Sequence, residues 1–356
     1  MINKKNWLLM KKYLDYRFMV DQISKGSLNK EQTHIRYVLE WAQEISFKNA
    51  PTIRPTFPEY LRTSRLDGGK GQLSPVYIKK ALATARLFFS WLSDNEVEGK
   101  RIKQSWIKTI KIKRLSEPPK TKEAVTLEEA LSMAAYPANT LMQRRARAAA
   151  VFLYLSGMRI GAFVSLPMQA VDIPSRKIFQ YPNLGVRTKN SKYGITYLLD
   201  IPELLKVVQD WDNEIRPLLP PSGFWFAPLS PETGQIDTNV SSIGEHRVSL
   251  ARRNIKDWLD QAGLPYHSPH KFRHGHIHYG LAYAKSMADF KAVSMNAMHS
   301  SMKITDEFYS VLNDTEMKSR INALGKQDNN PQKQETNEAE LLIREFLDWK
   351  KKQEKE

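Results

Sequence analysis

Residues 268–274 read Ser268-Pro-His-Lys-Phe-Arg-His274, and the interpretation of the whole chain starts from this stretch. Ser268 is a favourable helix cap and Pro269 suits the first helical position, so we expect a helix to begin here. His270 and Arg273 then lie three residues apart, on one face of its first turn. A helix N-terminus already attracts anions, and an imidazole and a guanidinium added there suit a phosphate.

An isolated His-x-x-Arg pair is usually a surface arginine beside a hydrogen-bonded histidine, so the flanking motifs carry the argument. Upstream, Ser156-Gly-Met-Arg-Ile-Gly-Ala162 places Arg159 two residues after a glycine of the kind that ends helices. Residues 187–194, Arg-Thr-Lys-Asn-Ser-Lys-Tyr-Gly, form a polar and basic hairpin loop that contains Lys189.

Downstream, His299 is followed by two serines, and Thr305 is suited to cap a helix that carries Tyr309. Six residues, taken in this order, resemble the catalytic set of the tyrosine recombinase (phage integrase) family: Arg159, Lys189, His270, Arg273, His299 and Tyr309. The resemblance covers roughly residues 120 to 325, and a gapped set in a fixed order is far more specific than any one member.

The resemblance implies a fold that is mainly α with a small antiparallel β-sheet. An N-terminal helical domain that grips DNA would precede a mixed α/β, mostly helical catalytic domain. The implied enzyme is a site-specific recombinase or integrase that cleaves and rejoins duplex DNA through a covalent 3′-phosphotyrosine, in integration or excision of a mobile element. Its expected partner is double-stranded DNA, on which it would form a homo-tetramer, and accessory DNA-bending or directionality proteins are compatible with it.

The residue types suffice for phosphodiester cleavage without a metal or other cofactor, and we expect none. Two arginines can clamp the non-bridging oxygens as bidentate donors, and clustered cations favour the phenolate of a tyrosine, whose ordinary pKa is about 10. By the resemblance, Arg159 and Arg273 neutralise the phosphate and Tyr309 attacks it. His270 and His299 would donate hydrogen bonds and handle protons, and Lys189 would protonate the leaving 5′ oxygen.

Several assignments stay open. Lys192 competes with Lys189 for the lysine position, although Thr188-Lys189 matches the family pattern better, and Tyr193 and Tyr283 are other tyrosines near the motifs. The sequence also departs from the family at two supporting positions. Ala162 stands where an acidic residue is usual, and Met298 stands where a glycine usually precedes the late histidine. The interval from that histidine to the tyrosine is one residue longer than in many members. These departures put the rate in doubt rather than the type of reaction.

Three other classes of function are weighed against this interpretation. Five histidines crowd one segment and include i,i+4 pairs of the kind that bind zinc: His267, His270, His274, His276 and His278. A type IB topoisomerase uses a similar residue set, but it relaxes DNA as a single protomer. A non-catalytic DNA-binding relative would be expected to lack the tyrosine or an arginine, and here both are present.

Composition favours a polyanionic partner. The chain of 356 residues has 54 Lys and Arg against 38 Asp and Glu, a formal charge of +16. Residues 1–115 carry 23 basic and 10 acidic residues, so +13 of this excess lies in the first third. The absence of cysteine excludes disulfides and thiolate metal sites, and the longest apolar run, Ala148 to Leu155, is too short for a bilayer. We therefore expect a cytoplasmic protein with no membrane partner.

We expect four regions: a helical core-DNA-binding domain in residues 1–115, a linker in 116–122, a catalytic domain in 123–325, and a tail in 326–356. The basic, Pro-containing stretch 98–122 looks like an extended connection as a whole. The tail combines a polar tether with an amphipathic helix whose stripe is Leu341, Leu342, Phe346 and Leu347.

Apolar spacing and caps predict the secondary structure of both domains. In the first domain, the predicted helices are residues 8–24, a helix capped by Asn29, residues 59–65 and a helix opened by Ser74-Pro75. In the catalytic domain, they are a helix that begins with the capping box at Thr126, residues 140–156, residues 204–215, and one or two helices within residues 240–262. The last four are the helix from Pro269, residues 286–297, the helix of Tyr309 and residues 314–324. The predicted strands are residues 178–181 and 195–199.

Overall fold

The computed structural model describes residues 1–112, 123–240 and 242–299. The chain divides into two compact units, Met1–Lys120 and Thr121–Glu356. The described residues are mainly helical with one small antiparallel sheet, which confirms the predicted fold class. The predicted linker 116–122, the helix of Tyr309, the helix 314–324 and the tail 326–356 all lie outside the described residues.

Five helices build the described part of the first unit: α1 (Lys4–Met19), α2 (Lys25–Ala42), α3 (Phe57–Thr63), α4 (Pro75–Asn95) and α5 (Gln104–Ile107). Ser74 caps α4 by accepting a hydrogen bond from the Tyr77 N–H, as predicted. The predicted cap of α2 is wrong, because the helix begins earlier, where the Ser24 side chain accepts from the Ser27 N–H. Asn29 therefore lies inside α2, one turn after its start.

Edge-to-face aromatic contacts fill the core of the first unit. The Phe88 ring centre lies 5.3 Å from that of Tyr13 and 5.1 Å from that of Phe47. Phe89 on the same helix lies 5.0 Å from Trp106 on α5. Helix α4 thus presents two neighbouring phenyl rings to α1, to the segment of Phe47 and to α5.

The first part of the predicted connection 98–122 belongs to this core instead. Ile102, Ile107 and Ile110 are buried in it, while Lys103 and Lys108 between them and Lys111 after them are exposed. The charged residues dominate the composition of the stretch, but the isoleucines recur at spacings that place them on one buried side. The expectation of a plain linker is therefore wrong for residues 98–110.

Seven helices are described in the second unit: α6 (Leu127–Ala135), α7 (Leu141–Ser156), α8 (Ile160–Phe163), α9 (Pro202–Ile215), α10 (Arg247–Gln261), α11 (Pro269–Ala282) and α12 (Met287–Asn296). Helix α7 is the centre, and α6, α9, α10 and α11 pack around it. Residues 148–156 of α7 are all buried, and the small side chains of Ala148, Ala149 and Ala150 let neighbouring helices approach closely. None of the described helices is long and apolar enough to cross a membrane.

The sheet has three antiparallel strands in the order β1 (Val171–Asp172), β2 (Lys177–Gln180) and β3 (Gly194–Tyr197). Strands β2 and β3 form the predicted hairpin, with Ile178 opposite Thr196 and Gln180 opposite Gly194. Strand β1 was not predicted, because a two-residue strand shows no alternation in the sequence.

A short strap of residues 123–126 is fastened to α11 before α6 begins. The Val125 N–H donates to the Lys271 carbonyl at 3.1 Å, and the Lys271 ammonium pairs with the Glu123 carboxylate. Gly275 faces this strap so closely that a Cβ there would overlap the Val125 carbonyl oxygen and lie 2.9 Å from the Tyr154 ring. The backbone of the strap and α11 therefore meet at a position where only glycine fits.

We expect Gly275→Ala to destabilise the protein by about 1–3 kcal/mol, the usual cost of forcing one extra methyl into a packed contact. Chemical denaturation measures the change. Gly161→Ala is the matched control, because a Cβ at Gly161 meets nothing within 4 Å, and it should change stability by less than about 0.5 kcal/mol. Equal stabilities of the two variants would contradict the close approach.

Candidate functional site

Arg159 stands on the turn that follows the central helix. Helix α7 ends at Ser156, and Gly157 takes a left-handed conformation with φ of 60°, as its sequence position predicts. Arg159 is the residue before α8, and it is half-buried. Burial lowers the pKa of its guanidinium from the ordinary value of 12.5.

Arg273 is held from two sides by backbone oxygens. Its Nη1 donates to the Gly157 carbonyl at 2.6 Å and its Nη2 donates to the Ala297 carbonyl. The side chain is buried, and burial together with the charge of Arg159 lowers its pKa to about 9. One guanidinium on α11 thus joins the turn that carries Arg159 to the turn two residues before His299.

His299 lies close to both arginines. Burial, followed by the charges of Arg273, Arg159, His270 and His274 in that order, lowers the pKa of its imidazole to about 4. Five side chains from α8, α11 and the end of α12 therefore form one Arg–His cluster: Arg159, His270, Arg273, His274 and His299. Four of the six predicted catalytic residues belong to it.

The two arginines of the Arg–His cluster have no carboxylate counter-charge in the described part of the chain. Within residues 1–112, 123–240 and 242–299, neither Arg159 nor Arg273 forms an ion pair with a carboxylate. Two neighbouring, desolvated guanidiniums raise each other's free energy, and an anion bound between them would lower it. The arrangement suits the non-bridging oxygens of a phosphate.

His274 is a member that sequence reasoning missed, since it was considered only as a metal ligand. Its ring centre lies 4.4 Å from that of His270, one helical turn earlier, and its Nδ1 lies 3.3 Å from the Glu123 carbonyl oxygen. The i,i+4 spacing of His270 and His274 was the signal that could have found it. His274 packs against the ring of His270, and His270 is the exposed member of the pair.

Three histidines of the zinc alternative have surroundings different from those of the His270–His274 pair. His267 bonds to the Glu129 carboxylate at 2.8 Å, while His276 is buried and bonds to the Tyr154 carbonyl at 3.0 Å. His278 is exposed. In the part of the chain that the structure describes, no three His, Cys, Asp or Glu side chains converge as a metal site requires.

Lys189 is not brought into the cluster by any contact among the described residues. It is exposed on the loop between β2 and β3, at one end of a tight turn whose Asn190 and Ser191 both have positive φ, 58° and 50°. Lys192 stands exposed at the other end of this turn. The choice between the two lysines therefore stays a prediction, as does the nucleophile, because Tyr309 lies outside the described residues. The other two tyrosines near the motifs, Tyr193 and Tyr283, are 62% and 66% exposed.

Comparisons with solved structures agree on one architecture. No protein-family model matches the chain, and no curated protein matches its sequence. The XerH site-specific recombinase bound to palindromic difH substrate matches with 15% identity and a TM-score of 0.58, over 89% of this chain and 83% of that one. The Tn1549 transposon integrase in complex with transposon right end DNA matches with 15% identity and a TM-score of 0.55, over 91% and 100%. A lambda integrase dimer bound to a COC′ core site matches with 13% identity and a TM-score of 0.52, over 84% and 93%.

The chain has the tyrosine recombinase fold.

Against the pattern of the tyrosine recombinases, Met298 has a clear physical explanation. Its φ is 51°, a left-handed conformation that glycine adopts freely and that costs other residues about 1–2 kcal/mol. Its side chain lies over β3, where a Cβ on Gly194 would come within 2.8 Å of the Met298 Cε. The glycine usual here is thus replaced by a residue that accepts backbone strain and gains a contact with the hairpin.

Ala162, the second departure, is buried in the core of the unit. The Ser165 hydroxyl donates to its carbonyl at 2.8 Å and accepts from the Arg187 N–H at 2.8 Å, which ties α8 to the hairpin loop. The backbone around Arg159 is therefore supported without a carboxylate at position 162.

Buried His276 predicts a pH dependence of stability. Burial lowers its pKa from 6.5 to about 4 in the folded protein. Between these values the unfolded chain binds the additional proton, so stability should fall as pH drops from about 6.5 to 4, by up to about 3 kcal/mol. Urea denaturation across this range measures the slope. His276→Gln should flatten it, whereas His278→Gln, an exposed histidine of the same helix, should not. A slope that survives His276→Gln unchanged would contradict the assignment.

Proposed function

We propose that this protein is a site-specific DNA recombinase that cleaves and rejoins duplex DNA through a 3′-phosphotyrosine. The observation that supports this most is the Arg–His cluster, whose two arginines have no carboxylate partner among the described residues, on a tyrosine recombinase fold. Phosphate is the anion that such a pair of guanidiniums fits best, and DNA supplies it in a chain.

In the proposed reaction, Arg159 and Arg273 hold the two non-bridging oxygens of the scissile phosphate. The electrostatic stabilisation that they provide increases as negative charge accumulates on these oxygens in the transition state. His270 donates a hydrogen bond from the exposed edge of the cluster. His299, with its pKa of about 4, is neutral at pH 7 and offers one donor and one acceptor nitrogen.

Tyr309 is the proposed nucleophile. Its phenol gives its proton to water or to the acceptor nitrogen of His299, and the phenolate oxygen attacks phosphorus. The bond from phosphorus to the 5′ oxygen breaks, and the leaving oxygen takes a proton from the ammonium of Lys189 or Lys192 on the hairpin loop. The products are a 3′-phosphotyrosyl bond and a free 5′-hydroxyl. Attack by a 5′-hydroxyl from another duplex reverses these steps and completes strand exchange. No step requires a metal ion, because the arginines and the lysine carry the charge and the proton.

The first unit is proposed to grip the DNA backbone. It holds most of the excess charge of the chain, and Lys79 and Arg86 are exposed seven residues apart on one face of α4. Lysines and arginines that neutralise phosphates release counterions, which gives tight binding without sequence recognition.

The assembly and the biological setting follow from the resemblance alone. Exchange of strands between two duplexes needs four cleavages, so we propose a homo-tetramer on DNA, with the amphipathic stripe of residues 341–347 reaching a neighbouring protomer. We place the reaction in the cytoplasm, where a mobile element is integrated or excised. The residues of this stripe lie outside the described part of the chain.

Tyr309→Phe should abolish a denaturant-resistant protein–DNA adduct while leaving DNA binding intact. The assay uses nicked duplexes from the DNA that flanks the gene, so that the cleaved strand diffuses away and the adduct accumulates. Tyr193→Phe and Tyr283→Phe are the matched controls and should retain the adduct. Excess EDTA should not reduce it. An undiminished adduct in Tyr309→Phe would refute the nucleophile, and relaxation of supercoiled plasmid without strand exchange would favour the topoisomerase alternative.

Lys79→Gln together with Arg86→Gln should weaken the salt dependence of DNA binding. If both side chains contact phosphates, the slope of log affinity against log salt concentration should become less steep by up to about 2. Fluorescence anisotropy at several salt concentrations measures the slope. Lys206→Gln removes an ammonium that already pairs with Asp210 at 3.5 Å, and it controls for the loss of charge. An unchanged slope in the double variant would mean that this face of α4 does not touch the backbone.

A further inference from the structure

The side chain of Asn296, the last residue of α12, pairs with the edge strand β3 as another strand would. Its Oδ1 accepts from the Tyr197 N–H at 2.6 Å, and its Nδ2 donates to the Tyr197 carbonyl at 3.0 Å. One side-chain amide thereby satisfies both backbone groups of a strand residue. This contact fastens the hairpin to the end of α12, three residues before His299.

The second hydrogen of the Asn296 amide reaches into the core. Its Nδ2 lies 3.1 Å from His276 Nε2. The other ring nitrogen of His276 lies 3.0 Å from the Tyr154 carbonyl oxygen, which can only accept, so Nδ1 carries the proton and Nε2 is the acceptor. The low pKa of His276 agrees with a neutral ring, which the charge of nearby Arg273 also favours. The amide of Asn296 therefore has a partner for its oxygen and for both of its hydrogens.

Two further contacts join the same elements. The Thr196 hydroxyl donates to the Asn296 carbonyl at 2.9 Å and accepts from the Gln180 amide at 2.6 Å, which brings in β2. The Met298 side chain covers Gly194 at the start of β3. We call this set the hairpin–α12 junction: Gln180, Gly194, Thr196, Tyr197, His276, Asn296 and Met298.

The junction needs an asparagine at position 296. Aspartate has no hydrogen to give to the Tyr197 carbonyl or to His276 Nε2, and an apolar residue would leave both backbone groups of Tyr197 without this partner. Glutamine places its amide one methylene farther from the backbone. The identity of the residue is thus set by three separate hydrogen bonds to two elements.

We propose that Asn296 is a positioning residue that sets the lysine hairpin relative to the phosphate site. The loop with Lys189 and Lys192 extends from β2 and β3, and the Arg–His cluster contains His299 and is bounded by Ala297. Asn296 ties these two parts of the site together, in addition to the bond from the Arg187 N–H to Ser165 that holds the hairpin loop to α8. The inference rests on the proposed function and deepens it, because it names the residue that fixes the position of the proton donor relative to the two arginines that hold the phosphate.

A chemical substitution in the DNA separates this role from a merely structural one. When sulfur replaces the bridging 5′ oxygen, the phosphorus–sulfur bond breaks and a thiolate leaves. A thiol has a pKa near 8.5, so the leaving group needs no proton from the protein. A variant whose lysine is misplaced is therefore slow on the oxygen substrate and close to normal on the sulfur substrate.

The experiment measures single-turnover adduct formation by the full chain on both substrates. Asn296→Ala should slow cleavage of the oxygen substrate about 100-fold, the effect of misplacing a reacting group by about 1 Å, and should cleave the sulfur substrate within a few fold of wild type. Asn254→Ala is the matched control. It also removes a buried hydrogen bond from the second unit, the 2.8 Å bond from Arg145, but lies outside the junction, and it should show no difference between substrates.

Equal slowing of Asn296→Ala on both substrates, or no slowing on either, would overturn the positioning role. If Asn296→Ala fails to fold, Thr196→Val removes the bond to the Asn296 carbonyl and the bond from the Gln180 amide, and it should show the same preference for sulfur in weaker form. Failure of the proposed function is distinguished by the wild type, which would then form an adduct with neither substrate.

Discussion

The candidate site depends on the burial of one guanidinium. Arg273 has no carboxylate partner among the described residues, and only two backbone carbonyls oppose its charge from the protein side. The fall of its pKa from 12.5 to about 9 corresponds to roughly 5 kcal/mol of unfavourable interaction for the charged form. A folded protein tolerates such a cost where the charge serves a ligand, and an anion would recover part of it. Stability and function therefore oppose each other at this residue.

Local backbone geometry makes this burial feasible. Gly157 turns the chain so that its carbonyl faces Arg273, and a Cβ at Gly157 would come within 2.5 Å of the His276 ring. Ser156 closes the end of α7 by donating to the Phe152 carbonyl and accepting from the Met158 N–H. At the opposite side, Met298 adopts a conformation normal for glycine so that the Ala297 carbonyl reaches the same guanidinium. Two left-handed residues thus aim two carbonyls at one side chain.

The sequence predicted the features that short-range chemistry encodes. The capping box at Thr126, the glycine after α7 and the hairpin all follow from patterns of a few residues. It failed where distant residues decide the outcome. Residues 98–110 appeared to be a linker because their charges are adjacent in sequence, while their isoleucines meet the core only after folding. Similarly, no local signal marks Asn296, because its partners Tyr197 and His276 lie 99 and 20 residues away. The Ser24 cap of α2 was missed because Gly26 and Ser27 are weak helix formers.

The proposed chemistry places different demands on the two halves of the site. A phosphate clamp works best when its donors are fixed before the substrate arrives, since reorganisation during the reaction lowers their value. Arg273 meets this need because it is anchored to backbone atoms of two turns. In the proposed reaction a lysine must reach a departing oxygen, and both candidate lysines stand exposed on the loop between β2 and β3. Such a loop can place a lysine at the phosphate only if its base is fixed, since otherwise the lysine would sample many positions away from the leaving oxygen. The amide of Asn296 supplies this fixed base, bonding to backbone at β3 and to His276, whose ring rests against the turn that Arg273 holds. The buried clamp and the exposed loop therefore share one chain of contacts, and the lysine side chains stand beyond the end of that chain.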